Sequence, residues 1–148
     1  MFQDVSRELL RQGYHIRFRP VGRSMQPTIR DGEAITVAPV SLCEVRRGDI
    51  LLYSTCAGLK AHRVVKTGIS EEAGAYFITR GDSSVETDAP VGAARVLGRV
   101  VSVERDGRTI SLAGRRAFIR QSVFIRAFRI GRRIAAARVR IYRWRPEF

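Results

Sequence analysis

The sequence predicts a mainly β domain that follows a short helix and precedes a basic helical tail. Apolar residues alternate with polar ones in short stretches, and turn residues separate these stretches. Near the C-terminus this alternation ends and the sequence becomes rich in arginine. Strands are predicted at residues 14–18, 33–40, 50–54, 59–65, 76–79, 96–103 and 108–112. Asp106-Gly107 joins the last two strands, as expected for a tight hairpin. We therefore expect one β domain over residues 1–113 and a separate tail over residues 114–148.

The N-terminal segment predicts a helix rather than a targeting sequence. In residues 3–12, Val5, Leu9 and Leu10 form an apolar edge, and Gly13 ends the pattern. Charged residues occupy the place where a signal peptide has its apolar centre. The longest apolar runs, such as residues 134–137, fall far short of the roughly 18 to 20 residues needed to span a membrane. We expect no signal peptide, no transmembrane segment and a cytoplasmic location.

A glycine turn carries the candidate nucleophile, Ser24. Gly22 permits a sharp bend, Pro27 stops the following residues from continuing as a regular strand or long helix, and Asp31-Gly32 forms the next turn. A serine hydroxyl is a poor nucleophile unless a base and an orienting group accompany it. In isolation, a turn serine that bonds its own backbone is the commoner interpretation of Gly-x-Ser. The assignment therefore depends on partners elsewhere in the chain.

Four stretches match a known family in the same order. Residues 22–33, GRSMQPTIRDGE, resemble the Gly-x-Ser-Met-x-Pro-Thr signature of the signal peptidase I family, which is related to the peptidase domains of LexA-type repressors. Residues 47–53 (RGDILLY), 61–65 (AHRVV) and 77–88 (FITRGDSSVETD) are similar to its further motifs. The resemblance spans about residues 16 to 103. It implies a signal-peptidase-like β fold and a serine endopeptidase that works through an acyl-enzyme, with Ser24 as nucleophile.

The predicted strand over residues 59–65 carries the candidate base. Lys60, His62 and Val64 share one of its faces because strand side chains alternate. The matching position is lysine in bacterial signal peptidases and LexA-type proteins, but histidine in the endoplasmic-reticulum type and its archaeal relatives, so the resemblance implies that His62 is the base. Histidine titrates near pH 6.5, whereas a lysine must be desolvated to lower its pKa from about 10.4. Lys60 remains an alternative base.

The polar loop over residues 81–90 carries the candidate third member. The endoplasmic-reticulum type has an aspartate there that orients the histidine, and alignment without gaps from Gly81 places it at Asp88. Asp82 is then a supporting residue or a turn organiser. The carboxylate would fix the imidazole tautomer and stabilise the imidazolium. The backbone N–H of Ser24 would bind the oxyanion, since Gly22 replaces a hydroxyl that some family members have. Neither a metal nor another cofactor is predicted.

The formal net charge of +13 lies mainly in the tail. Residues 107–146 contain twelve arginines, no lysine and no acidic residue. We expect a helix interrupted near Gly131, with arginines on several sides. It could be a solvated helix packed on the domain, a contact with an anionic membrane surface, or a nucleic-acid contact. The membrane is preferred because Phe118, Phe124, Phe128 and Trp144 could enter the headgroup region between arginines. Nucleic acid is less favoured because no recognition motif is present.

Three functions stay open at this point. The first is a serine endopeptidase that cleaves a peptide or the leader segment of a precursor protein. The second is a self-cleaving LexA-like regulator, although only 23 residues precede Ser24, too few for a DNA-binding domain, and no Ala-Gly site lies upstream. The third is a non-catalytic binding module that acts through the basic tail. The joint presence of serine, histidine and aspartate favours the first.

Overall fold

The computed structural model describes residues 1–142, and it describes side chains for residues 1–114 and 119–132. This part of the chain contains eight strands in one antiparallel sheet and two α-helices. The elements are α1 (Phe2–Arg11), β1 (Ile16–Phe18), β2 (Ala34–Ala38), β3 (Ile50–Thr55), β4 (Gly58–Ser70), β5 (Gly74–Arg80), β6 (Val91–Gly92), β7 (Val96–Arg105), β8 (Arg108–Ser111) and α2 (Arg115–Tyr142). The prediction of a mainly β chain is confirmed.

Strand β7 organises the sheet. It pairs with β2 along one edge, and with β3 and then β8 along the other. The strand order across the sheet is β1-β2-β7-β3-β4-β5-β6, and β8 joins the sheet by pairing with β7. The β7–β8 hairpin turns at Asp106 and Gly107, both with positive φ, as the Asp-Gly dipeptide predicts.

Two apolar clusters stabilise the sheet. The first contains Ile35, Val37, Ile50, Leu52 and Val100 together with Leu10 of α1, and the second contains Leu51, Tyr53, Val64, Phe77 and Val91. Successive residues of β3 enter the two clusters in turn, because neighbouring side chains of a strand point to opposite faces. This is why residues 50–53 form a continuous apolar run in the sequence.

The β4–β5 hairpin is longer than predicted. Strand β4 continues to Ser70, beyond the expected end at residue 65, and β5 starts at Gly74 rather than at residue 76. At the hairpin tip Ile69 is 87 % exposed. Most side chains of this extension do not face the core, so no apolar alternation marks them. The two-residue strand β6 was not predicted, for the same lack of a pattern.

Helix α2 differs from the sequence prediction in being continuous. It runs from Arg115 to Tyr142 without a break at Gly131, which lies in open space. A helical glycine costs about 1 kcal/mol relative to alanine, too little to interrupt so long a helix. Among the described residues, no helix is long and apolar enough to cross a membrane. The Phe118 side chain and Trp144, expected at the headgroups, lie outside the described part.

Candidate active site

The turn that carries Ser24 is fastened on both sides. Gly22 has φ of 131°, a conformation that other residues rarely adopt, and its N–H donates to the Asp31 carboxylate at 2.8 Å. After Ser24, the buried side chains of Met25 and Ile29 anchor the segment in the core. Ser24 itself is exposed. The local sequence thus forms a stiff corner with the hydroxyl at its surface.

A second loop, residues 81–84, supports the serine from behind. Ser83 donates to the carbonyl oxygen of Ser24 from its backbone N–H at 2.9 Å and from its hydroxyl at 3.0 Å. At Gly81, an added Cβ atom would lie 2.6 Å from that carbonyl oxygen and 3.1 Å from the Ser24 Cβ atom. A side chain at Gly81 would therefore displace the serine.

His62 lies between Ser24 and Asp88. Its Nε2 is 2.9 Å from Ser24 Oγ, and its Nδ1 is 2.6 Å from Asp88 Oδ2. Strand β4 positions the ring, and His62 is only 5 % exposed. Because an ionised carboxylate can only accept, Nδ1–H donates to Asp88, which leaves Nε2 to accept the Ser24 hydroxyl proton. The three residues nominated from the sequence form one line of hydrogen bonds.

Asp88 is held by several donors besides His62. Thr79 Oγ1 donates to Oδ2 at 2.8 Å, Tyr53 OH donates to the same oxygen at 3.2 Å, and Lys60 Nζ donates to Oδ1 at 3.0 Å. Burial alone would raise the pKa of Asp88, but the bonds from His62, Lys60 and Thr79 outweigh it and lower the pKa below its usual 3.8. The carboxylate is therefore ionised at neutral pH.

Tyr53 is a permanent donor in this network. Burial, together with the charge of Asp88, raises the pKa of its hydroxyl well above the usual 10. The hydroxyl oxygens of Tyr53 and Thr79 are 3.0 Å apart. Tyr53 on β3 and Thr79 on β5 thus orient Asp88 from the strands on either side of β4. Neither Tyr53 nor Thr79 was nominated from the sequence. Side chains also alternate along β3 and β5, and the strand pairing places these two on the face of the sheet that carries Lys60 and His62.

Lys60 lies on the carboxylate rather than at the serine. Its side chain is 43 % exposed and pairs with Asp88 Oδ1, and among the described residues it makes no hydrogen bond with Ser24. His62 occupies the position next to the hydroxyl. The geometry therefore favours His62 over Lys60 as the partner of Ser24.

Asp82 belongs to a separate buried cluster. Arg63 Nε and Nη2 each donate to one oxygen of the Asp82 carboxylate at 2.8 Å, and the Thr28 hydroxyl also donates to it. Arg63 further donates to the Gly48 carbonyl oxygen at 2.7 Å. Asp82 is 2 % exposed, and its carboxylate makes hydrogen bonds with Thr28 and Arg63 but none with Ser24 or His62. The cluster ties the nucleophile segment, β4 and the loop over residues 81–84 together.

Arg63 and Thr28 were missed from the sequence, although both lie within the quoted motifs. The signal that could have found them is Arg63, which stands among apolar residues of its strand on the opposite face from His62. A buried arginine requires a polar or charged partner. The sequence does not reveal which carboxylate that partner is.

The backbone N–H of Ser24 is available to bind an oxyanion. No acceptor pairs with it in the part of the chain that the structure describes. The Gly22 N–H is already bound to Asp31, so Gly22 shapes the turn. The described residues include no group of three or more His, Cys, Asp or Glu side chains arranged to hold a metal ion.

Comparisons of the chain with protein-family models, curated protein sequences and solved structures give no match. The functional assignment therefore depends on the geometry of these side chains.

Proposed function

We propose that this protein is a serine endopeptidase of the signal peptidase I type, with a fold related to the LexA-like peptidase domain. The observation that carries the proposal is the hydrogen-bonded line from Ser24 Oγ through His62 to Asp88, with distances of 2.9 and 2.6 Å. A nucleophile, a base and an orienting carboxylate in this order form the arrangement that activates a serine hydroxyl.

The first half of the reaction forms an acyl-enzyme. His62 Nε2 takes the hydroxyl proton while Ser24 Oγ bonds to the carbonyl carbon of the substrate. The negative oxygen of the tetrahedral intermediate accepts a hydrogen bond from the Ser24 N–H, and the Asp88 carboxylate stabilises the imidazolium. His62 then gives its proton to the leaving amine, the peptide C–N bond breaks, and the acyl group stays on Ser24.

The second half releases the acyl group. His62 removes a proton from a water molecule as that water attacks the acyl carbonyl carbon. The intermediate collapses, the bond to Ser24 Oγ breaks, and the proton returns from His62 to the serine. In this scheme Tyr53, Thr79 and Lys60 keep Asp88 in place. Asp82 holds the nucleophile segment through Thr28 and Arg63.

The proposed substrate is a peptide or the leader segment of a precursor protein. Ser24 is exposed, whereas His62 is buried and the Asp88 side chain is only 18 % exposed. An open nucleophile with a covered base suits a polypeptide that approaches along the protein surface. It does not suit a small molecule that must be enclosed.

Cleavage of a peptide library, followed by mass spectrometry, tests the proposal. We expect products from the wild-type chain and none from Ser24→Ala or His62→Ala, with folding of each variant checked by circular dichroism. Products that persist in Ser24→Ala would overturn it. Shortening of the chain itself without library cleavage would indicate a self-cleaving regulator. A folded chain that does neither would favour a non-catalytic binding module.

A further inference from the structure

One face of helix α2 packs on the β domain. Gln121 and Ile125 are buried there, and Gln121 Nε2 donates to the Leu112 carbonyl oxygen at 3.3 Å. Further along, Arg129 donates to the carbonyl oxygens of Asp82 and Ser84 at 3.0 and 3.2 Å. The helix is therefore attached to the sheet and to the loop that supports Ser24.

The outward face of the same helix carries an apolar stripe. Ile119, Val123 and Ile130 are 59 %, 66 % and 59 % exposed. At 3.6 residues per turn these three side chains fall within about 40° of one another, and the buried Gln121 and Ile125 point roughly the opposite way. The exposed Arg126 borders the stripe on one side, and Arg120, which is exposed but also donates to the Ser111 carbonyl oxygen at 3.3 Å, borders it on the other. Between residues 119 and 132, the part of α2 whose side chains the structure describes, the helix has one face packed on the β domain and an apolar stripe on the other, which the arginine positions alone do not show.

The positive charge of helix α2 indicates the chemistry of the partner that its outward face would bind. Helix α2 contains nine arginines and no acidic residue, so its own side chains provide no carboxylate to balance them. A second copy of the chain is a poor occupant, because each copy has a formal net charge of +13. A nucleic acid would use the arginines but would leave the aliphatic stripe exposed, since single strands bind by stacking on aromatic side chains.

We propose that the α2 stripe, defined as Ile119, Val123 and Ile130 with Arg120 and Arg126, docks on the surface of an anionic lipid bilayer. The helix would lie flat, with its aliphatic side chains at the boundary of the acyl chains and its arginines among the lipid phosphates. Because Arg129 connects the inner face of α2 to the loop behind Ser24, docking would hold the site at a constant orientation to the membrane.

Vesicle binding by the full-length chain tests this inference independently of catalysis, with Ser24→Ala as the background protein. Flotation is measured with vesicles of phosphatidylcholine alone and of phosphatidylcholine with phosphatidylglycerol at equal amounts. We expect binding to the anionic vesicles and little to the neutral ones. Ile130→Ser and Arg126→Gln should each weaken binding by about fivefold.

Two matched substitutions serve as controls, and thermal unfolding verifies that all variants fold. Ile69→Ser removes an isoleucine that is 87 % exposed at the β4–β5 tip, and Arg108→Gln removes an exposed arginine of the β7–β8 hairpin. Both should bind as the background protein does. Equal losses in test and control variants, equal binding to both vesicle types, or binding to a single-stranded oligonucleotide but not to vesicles would overturn the inference.

Discussion

Asp88 is the most firmly held residue of the candidate site. Donors from β3, β4 and β5 converge on its carboxylate, and its own backbone N–H donates to the Thr79 carbonyl oxygen at 2.8 Å. An acceptor held so firmly fixes the proton on His62 Nδ1 and leaves Nε2 free to act on Ser24. The charge of Asp88, and not only its shape, is therefore needed for the proposed reaction.

Replacement of Asp88 by asparagine tests that statement. The amide can turn its NH₂ toward Nδ1 and so favour the wrong imidazole tautomer, and we expect kcat/KM to fall by about 10⁴. Lys60→Ala is the control: it removes a partly exposed ion pair, a kind of contact worth about 0 to 1 kcal/mol, so the loss should stay below about tenfold. An Asp88→Asn variant whose kcat/KM lies within tenfold of the wild-type value would contradict the role proposed for the carboxylate.

The lowered pKa of Asp88 also predicts how stability depends on pH. A carboxyl group whose pKa is lower in the folded chain stabilises it above the unfolded value, and this contribution is lost as pH falls through the folded value. The difference in free energy of unfolding between wild type and Asp88→Asn should be constant near neutral pH and should shrink below the usual pKa of 3.8. Urea unfolding at several pH values measures it. A difference that grows on acidification would show that the pKa is raised.

Among the structural elements, the loop over residues 81–84 positions Ser24, the candidate nucleophile. Gly81→Ala places a methyl group against the Ser24 carbonyl oxygen, which is backbone and cannot move aside alone. We expect activity to fall by about 100-fold, because misplacement by about 1 Å has such effects. Gly92→Ala is the control, since nothing lies within 4 Å of its added Cβ atom. The two variants are compared by kcat/KM and by thermal midpoint, and equal activities would refute the positioning role.

The cluster around Arg63 joins three elements and should contribute strongly to stability. Arg63→Met leaves the Asp82 carboxylate buried without its ion-pair partner, which costs about 3 to 5 kcal/mol. The matched surface variant, Arg17→Met, breaks a pair with side chains 55 % and 37 % exposed and should cost about 0 to 1 kcal/mol. Urea unfolding measures both. A double variant, Arg63→Met with Asp82→Asn, should recover part of the loss; equal costs at the two sites would contradict this account.

Most elements could be predicted from the sequence because their apolar residues face a core. Strands β2, β3 and β7 lie close to their predicted ranges for that reason. The outer half of the β4–β5 hairpin could not be predicted, because it has no core beneath it. The sequence did not show that the helix continues through Gly131. A glycine destabilises a helix relative to alanine, and its presence alone does not show whether the flanking helical turns are stable enough to offset that cost.

Across the whole molecule, most of the positive charge lies in the C-terminal tail and the candidate site lies in the β domain. The two parts are in contact. Residues 107–146 carry twelve arginines, and α2 reaches the loop over residues 82–84 through Arg129 and Arg132. This contact joins residues 45 or more positions apart, and no local pattern encodes it. Ser24, His62 and Asp88 could be nominated because a family resemblance supplied their spacing. Arg63, Tyr53 and Thr79 needed the folded register.

Labelling by a serine-directed acylating probe, determined by intact mass, tests most directly whether His62 activates the Ser24 hydroxyl. It compares the wild-type chain with Ser24→Ala, His62→Ala and Lys60→Ala, because only the first two remove atoms of the hydrogen-bonded line from Ser24 to Asp88 that we propose activates the hydroxyl. We expect one added acyl group on wild type and on Lys60→Ala, and none on Ser24→Ala or His62→Ala. Labelling that persists without Ser24, or that requires Lys60 but not His62, would contradict it.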